Sequence, residues 1–107
     1  KDSEGNIVAV TNDTWYAFVV HKAPLDKSCE KSSDPDTDCE FKIVDAPENW
    51  YTSVYDATGW DSATEHSTSA VNPKDGYFDV SWDTNARFIW GSDLEQDNTI
   101  LFKTTVQ

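Results

Sequence analysis

Apolar and polar residues along this chain alternate in short blocks broken by turn formers, and that pattern predicts strands. Residues 7–10 and 15–20 are apolar stretches flanking Thr11-Asn12-Asp13-Thr14, which predicts a hairpin. The second stretch, Trp-Tyr-Ala-Phe-Val-Val, is apolar on both faces and so reads as a strand covered on both sides. Residues 22–40 form a long polar excursion, and residues 41–44 a short strand that Ala46-Pro47-Glu48-Asn49 ends. Residues 50–55 are aromatic and β-branched and read as a further strand. The mixed segment 60–76 is where a helical turn fits, around residues 61–65.

The last third alternates more regularly. Residues 77–82 place Phe78, Val80 and Trp82 on one side, residues 86–90 place Ala86, Phe88 and Trp90 together, and residues 99–106 align Ile100, Phe102 and Val106. No segment holds a period of 3.6 over three turns. Short strands with turn signals between them predict an all-β fold, an antiparallel β-sandwich. Its expected core contains Phe18, Trp82, Phe88, Ile89, Ile100 and Phe102.

Length and composition narrow this picture. A chain of 107 residues predicts a single domain spanning 1–107. Five Trp, five Phe and four Tyr argue against disorder. Eight basic against 20 acidic residues give a net charge of -12, which excludes nucleic acid and anionic membrane surfaces as partners. No run approaches the ~20 apolar residues of a membrane-spanning helix, so no membrane insertion is expected. The chain has neither Met nor a signal peptide, which suggests a domain excised or processed out of a longer secreted protein.

Cys29 and Cys39 bracket a polar, turn-rich segment. No other Cys exists to complete a zinc set, and His21 and His66 match no finger spacing. A disulfide is therefore expected, contributing about 2.7 kcal/mol by loop-closure entropy. It implies an oxidising, extracellular compartment, and the glycosylation sequon at Asn12 points the same way.

Three strings, Gly59-Trp60-Asp61-Ser62-Ala63, Ala86-Arg87-Phe88-Ile89-Trp90 and Asp97-Asn98-Thr99-Ile100-Leu101-Phe102-Lys103, resemble the closing part of galactose-binding-like jelly-roll modules. The opening residues 10–19 resemble their aspartate-then-aromatic strand, although Val20-His21-Lys22 stands where that strand usually continues into Asn-Gly. The resemblance implies a jelly-roll topology and carbohydrate binding by a secreted or cell-surface protein.

Candidate chemistry follows from residue types. No Gly-x-Ser-x-Gly elbow, HExxH or P-loop is present, so no enzyme is expected. Trp60 is the Trp least explained by strand alternation, and Asp56 and Asp61 flank it. An aromatic ring can stack on a sugar's apolar face while carboxylates bind its hydroxyls. Trp60, Asp56, Asp61 and Trp50 are thus the expected ligand-binding residues, for a saccharide or glycoconjugate. Asp34, Asp36 and Asp38 form one acidic loop, and Asp93, Glu95 and Asp97 another; both offer the oxygen donors calcium takes. Cys39 replaces the Gly an EF-hand requires, so any calcium site is of another kind. Arg87, the sole Arg, is expected to bridge an acid such as Asp79. The sequence reading is a noncatalytic, lectin-like carbohydrate-binding module. Its alternative is a calcium-binding or acidic-surface adhesion or structural domain of an extracellular protein.

Overall fold

The central strand, β1 (Tyr16–Lys22), grows from the aromatic and β-branched run the sequence singles out. The computed structural model describes residues 1–106. On one edge β1 pairs antiparallel with the last strand, and on the other with two short ones. These are β2 (Lys42–Ile43), set against His21 and Lys22, and β3 (Asp61–Ser62), set against Tyr16 and Ala17. A two-stranded ribbon joins β4 (Thr64–His66) to β5 (Phe88–Trp90). The last strand, β6 (Asp97–Lys103), runs from Lys22↔Asp97 to Tyr16↔Lys103, with register shifts on either side of His21. The short helices α1 (Pro35–Asp38) and α2 (Thr68–Val71) and two 3-10 turns, Lys27–Lys31 and Tyr77–Asp79, complete the described elements. The result is a β-rich fold of antiparallel sheets with little helix.

Each face of the β1–β6 pair carries its own cover. On one face Trp90 of the ribbon packs on Phe102 at 5.9 Å between ring centroids. Small residues fill the close approaches there: Ala17 and Ala63 are buried, and the Ala63 amide donates to the Trp15 carbonyl at 2.7 Å. A Cβ at Gly91 would overlap the Asp97 carboxylate, so any other residue here forces that side chain to move. On the other face Phe18 meets Trp60 at 5.3 Å, and Trp60 meets Tyr55 at 5.7 Å. Lys103 of β6 lies 5.9 Å from the Tyr55 ring centre and donates to the Trp50 and Thr52 carbonyls. The ammonium thereby fastens the turn at 50–52 to the sheet. Cys29 and Cys39 are disulfide-bonded, closing the excursion beyond β1.

Several elements differ from the pattern reading. Residues 7–10 form no strand, and no hairpin closes over 7–20. Thr11 instead exchanges hydrogen bonds with the Arg87 backbone, and the Trp15 indole donates to the Val10 carbonyl. Residues 50–55 are successive turns, because Asn49 takes a left-handed conformation (φ 58°) that starts a coil rather than a strand. Residues 61–65 hold β3 and β4 rather than a helical turn, since β1 offers its free edge there. The helix comes later, where Ser67 caps α2 through the Ala70 amide. Residues 77–82 turn instead of extending. Gly76 (φ 93°) directs the chain into a 3-10 turn, and the Trp82 indole donates back to the Tyr77 carbonyl.

The expected core is correspondingly changed. Phe18, Phe88, Ile89, Ile100 and Phe102 are half-buried, and Trp82 is 54% exposed. Among the described residues no large side chain is fully buried. The cause is shape. The molecule measures 52 × 37 × 19 Å with a radius of gyration of 16.6 Å, against about 13 Å for a compact domain of this length. Its 8023 Å² of accessible surface exceeds the roughly 6000 Å² of a compact chain of the same mass.

The contact at Gly91 gives a stability test. Gly91→Ala is expected to cost about 1–3 kcal/mol in urea unfolding, as overpacking does. Gly59→Ala, where the added Cβ meets nothing within 4 Å, should stay within roughly 0.5 kcal/mol of the parent. Equal midpoints for the two variants would mean that Asp97 does not press on Gly91.

Candidate functional site

The turn that replaces the predicted strand at 77–82 builds an open cavity against β5. It has a volume of about 450 Å³ and is lined chiefly by Tyr77, Trp82, Asp83, Thr84, Arg87 and Phe88. Trp82 lies nearly parallel to Tyr77, at 18° and 5.4 Å between centroids. Tyr77 in turn rests on Phe88 of β5 at 5.1 Å. The three rings form a ladder rooted in the sheet, with the indole outermost. Its N–H is already bonded to the Tyr77 carbonyl at 2.9 Å, which fixes the ring's orientation.

Polar groups flank this platform. The Asp83 side chain accepts from the Asn85 amide through Oδ1, which shapes the turn and leaves Oδ2 without a hydrogen bond among the described residues. Arg87 does not reach Asp79. Its Nη1 donates to the carbonyls of Thr84 and Ala86, three residues and one residue away. These local carbonyls win because β5 starts only at Phe88, so Arg87 sits in the turn and not within a sheet. The remaining guanidinium N–H groups have no hydrogen-bond partner among the described residues and can serve a ligand. Sequence alternation hides this site, since it assigns Trp82 to the core. The Asp75-Gly76 pair ahead of it is the signal that the segment turns.

The residues expected to bind a ligand are only partly brought together. Trp60 and Asp61 share a shallow cavity with Phe18 and Lys22, of about 270 Å³. Trp60 is half-buried between Phe18 and Tyr55, and its indole N–H donates to the Tyr55 hydroxyl at 3.3 Å. Asp61 is exposed on β3. Asp56 lines a different cavity beside Tyr55 and Lys103. It accepts from the Thr58 amide at 3.0 Å, and these bonds to Thr58 hold its pKa below the ordinary carboxylate value. Trp50 lines neither cavity; it packs edge-on against Tyr51. Asn12 is half-buried, its side-chain oxygen accepting from the amide and hydroxyl of Thr14, the third residue of its sequon.

The two acidic loops have different surroundings. Asp34, Asp36 and Asp38 are exposed around α1, where Asp38 accepts from the Ser32 hydroxyl at 2.6 Å. In the second loop the acids are engaged by lysines. Lys27 reaches Asp93 at 2.8 Å and Glu95 at 3.8 Å, and Lys22 reaches the buried Asp97 at 3.5 Å. Asp97 Oδ2 accepts from the Asp93 amide, and the Asp97 carbonyl accepts from the Trp90 indole at 2.7 Å. Asp97 is thus the post around which the loop before β6 is wound. Among the described residues, no three His, Cys, Asp or Glu side chains converge on a point where a metal ion would sit.

Asp93 carries the largest electrostatic perturbation in this loop. The hydrogen bond from Lys27 and then the amides of Gln96 and Glu95 lower its pKa to about 2. A depressed carboxylate stabilises the fold above its unfolded-state pKa and loses that contribution as pH falls through the folded value. The 93–97 loop should therefore stay intact at pH 4 and loosen as pH falls toward about 2. Lys27→Met is expected to raise the Asp93 pKa, read by NMR titration of the side-chain carboxyl. An unchanged titration would assign the shift to the two amides alone.

Comparison of the chain with protein-family models, with curated proteins and with solved structures gives no match.

Proposed function

We propose that this protein is a noncatalytic saccharide-binding module, secreted or displayed at a cell surface, with its binding site at Trp82. One observation carries the proposal: a half-exposed indole is held flat on Tyr77 at the mouth of a 450 Å³ cavity, between a free Asp83 oxygen and unused Arg87 donors. A pyranose ring offers an apolar C–H face to such an indole and a rim of hydroxyls to such polar groups. Trp60 has less to offer, because Phe18, Tyr55 and a hydrogen bond already occupy it. A single carboxylate lines the Trp82 cavity, whereas glycoside hydrolysis commonly needs two, and this favours binding over cleavage. The disulfide and the Asn12 sequon support an extracellular setting. The Phe102–Trp90 contact, where the ribbon lies over the sheet, supports a two-layered β-sandwich as the finer description of the fold, and the sequence resemblance is what suggests a jelly-roll topology for it.

Titration against a glycan panel, followed by tryptophan fluorescence, tests the reading. Trp82→Ala should weaken saccharide binding roughly tenfold or more while the fold persists, because its ring is exposed. Trp60→Ala should lower Tm and leave the affinity of the folded fraction within about twofold. Affinity that survives Trp82→Ala, or no binding to any glycan by the folded protein, would overturn the proposal.

A further inference from the structure

A second concavity, remote in sequence from Trp82, has a different character. It has a volume of about 490 Å³ and lies beside the Cys29–Cys39 disulfide, between Pro24, Pro35 and Phe41. Its apolar wall is incompletely covered: Phe41 is 62% exposed and touched edge-on by His21. Prolines and a disulfide make rigid walls, so the groove is preformed and costs little ordering on binding. Its rim is anionic. Glu30, Asp36 and Glu40 line it, and among the described residues none of the three is in an ion pair. Of the two lysines in the same 3-10 turn, Lys27 is bonded to Asp93 and Glu95 instead, and Lys31 does not line the groove.

We propose that this groove docks a basic segment of a partner protein, one that places an aromatic or branched apolar side chain between lysines or arginines. The apolar side chain would lie against Phe41 and Pro35, with its basic neighbours over Glu30, Asp36 and Glu40. Charge selects this occupant. A second copy of the chain would bring another net charge of -12 to the same acidic rim, and an anionic lipid surface would be repelled likewise. The strand beside the groove also favours a peptide. β2 pairs with β1 on one side only and stands at the end of its sheet, so its outer edge can hydrogen-bond an extended backbone.

The test uses two labelled synthetic peptides, identical in their Lys/Arg residues, one with a central Phe and one with Ser in its place. Fluorescence anisotropy against the intact, oxidised protein should give roughly tenfold tighter binding of the Phe peptide. Phe41→Ser, at a largely exposed position, should erase that difference without unfolding the chain. The double change Glu40→Gln with Asp36→Asn should weaken both peptides and flatten the salt dependence, whereas Asp79→Asn, outside the groove, should change neither. Equal affinity for the two peptides, or a preference that survives Phe41→Ser, would reduce the interaction to bulk charge and overturn the proposal. Dimerisation in sedimentation that Phe41→Ser abolishes would overturn it in favour of a second copy.

Discussion

The antiparallel pairing of β1 with β6 is the constraint on which the rest of the structure depends. It joins residues 16–22 to residues 97–103; β2 and β3 pair with β1, and Trp90 of β5 packs on Phe102 of β6. Lysines secure both ends of the ladder. At one end Lys22 faces Asp97 in register and pairs with its carboxylate; at the other Lys103 reaches off the strand to hold the carbonyls of Trp50 and Thr52. Removing the Asp97 carboxylate would strike both the ladder and the 93–97 loop, since it pairs with Lys22 and accepts from the Asp93 amide. Such pairing between distant segments must overcome a large loop-closure entropy before it gains anything, which places this fold among the slower-forming topologies.

How much of this was legible in the sequence depends on whether local pattern or long-range pairing decided each segment. Residues 15–20 and 99–106 read as strands from their apolar and β-branched content, and strands form there with shifted bounds, at Tyr16–Lys22 and Asp97–Lys103. The 29–39 disulfide follows from there being two cysteines and no zinc set. Residues 50–55 and 77–82 have equally good strand patterns, yet left-handed Asn49 and Gly76 turn the chain just ahead of each. Alternation records which side chains could share a face; it does not record whether a partner strand reaches that face. The same limit moved the candidate site. Trp60 drew notice because no strand explained it, and it is held by Phe18 and Tyr55. Trp82 was hidden by a strand-like pattern, and it is the indole left open.

The thin shape connects these observations to function. Among the described residues no large side chain is fully buried, and much of the aromatic surface stays within reach of solvent. That lowers the hydrophobic contribution to stability, at roughly 25 cal/mol for each Å² left uncovered. It also supplies rings that can meet a ligand without rearrangement. Tyr77 and Phe88 give up one face each to support Trp82, and the cost of orienting the indole is met within the fold before any ligand arrives. The disulfide groove follows the same logic with covalent walls in place of stacked rings.

Charge separates the two surfaces. Of the eight basic residues, Lys22 and Lys27 are in ion pairs, Lys103 clamps a turn, and Arg87 is anchored at the Trp82 cavity. These contacts fix where four of the eight cations sit without cancelling their charge, and the chain as a whole keeps a net charge of -12. The field outside the molecule is therefore strongly negative, and it accelerates the approach of cations while slowing that of anions. A saccharide without net charge is indifferent to this field, so binding at Trp82 should depend little on ionic strength. A basic segment entering the Phe41 groove feels the full field, and its association is the step that salt would slow. One site indifferent to salt and one sensitive to it on the same small chain would let ionic strength alone tell the two kinds of binding apart.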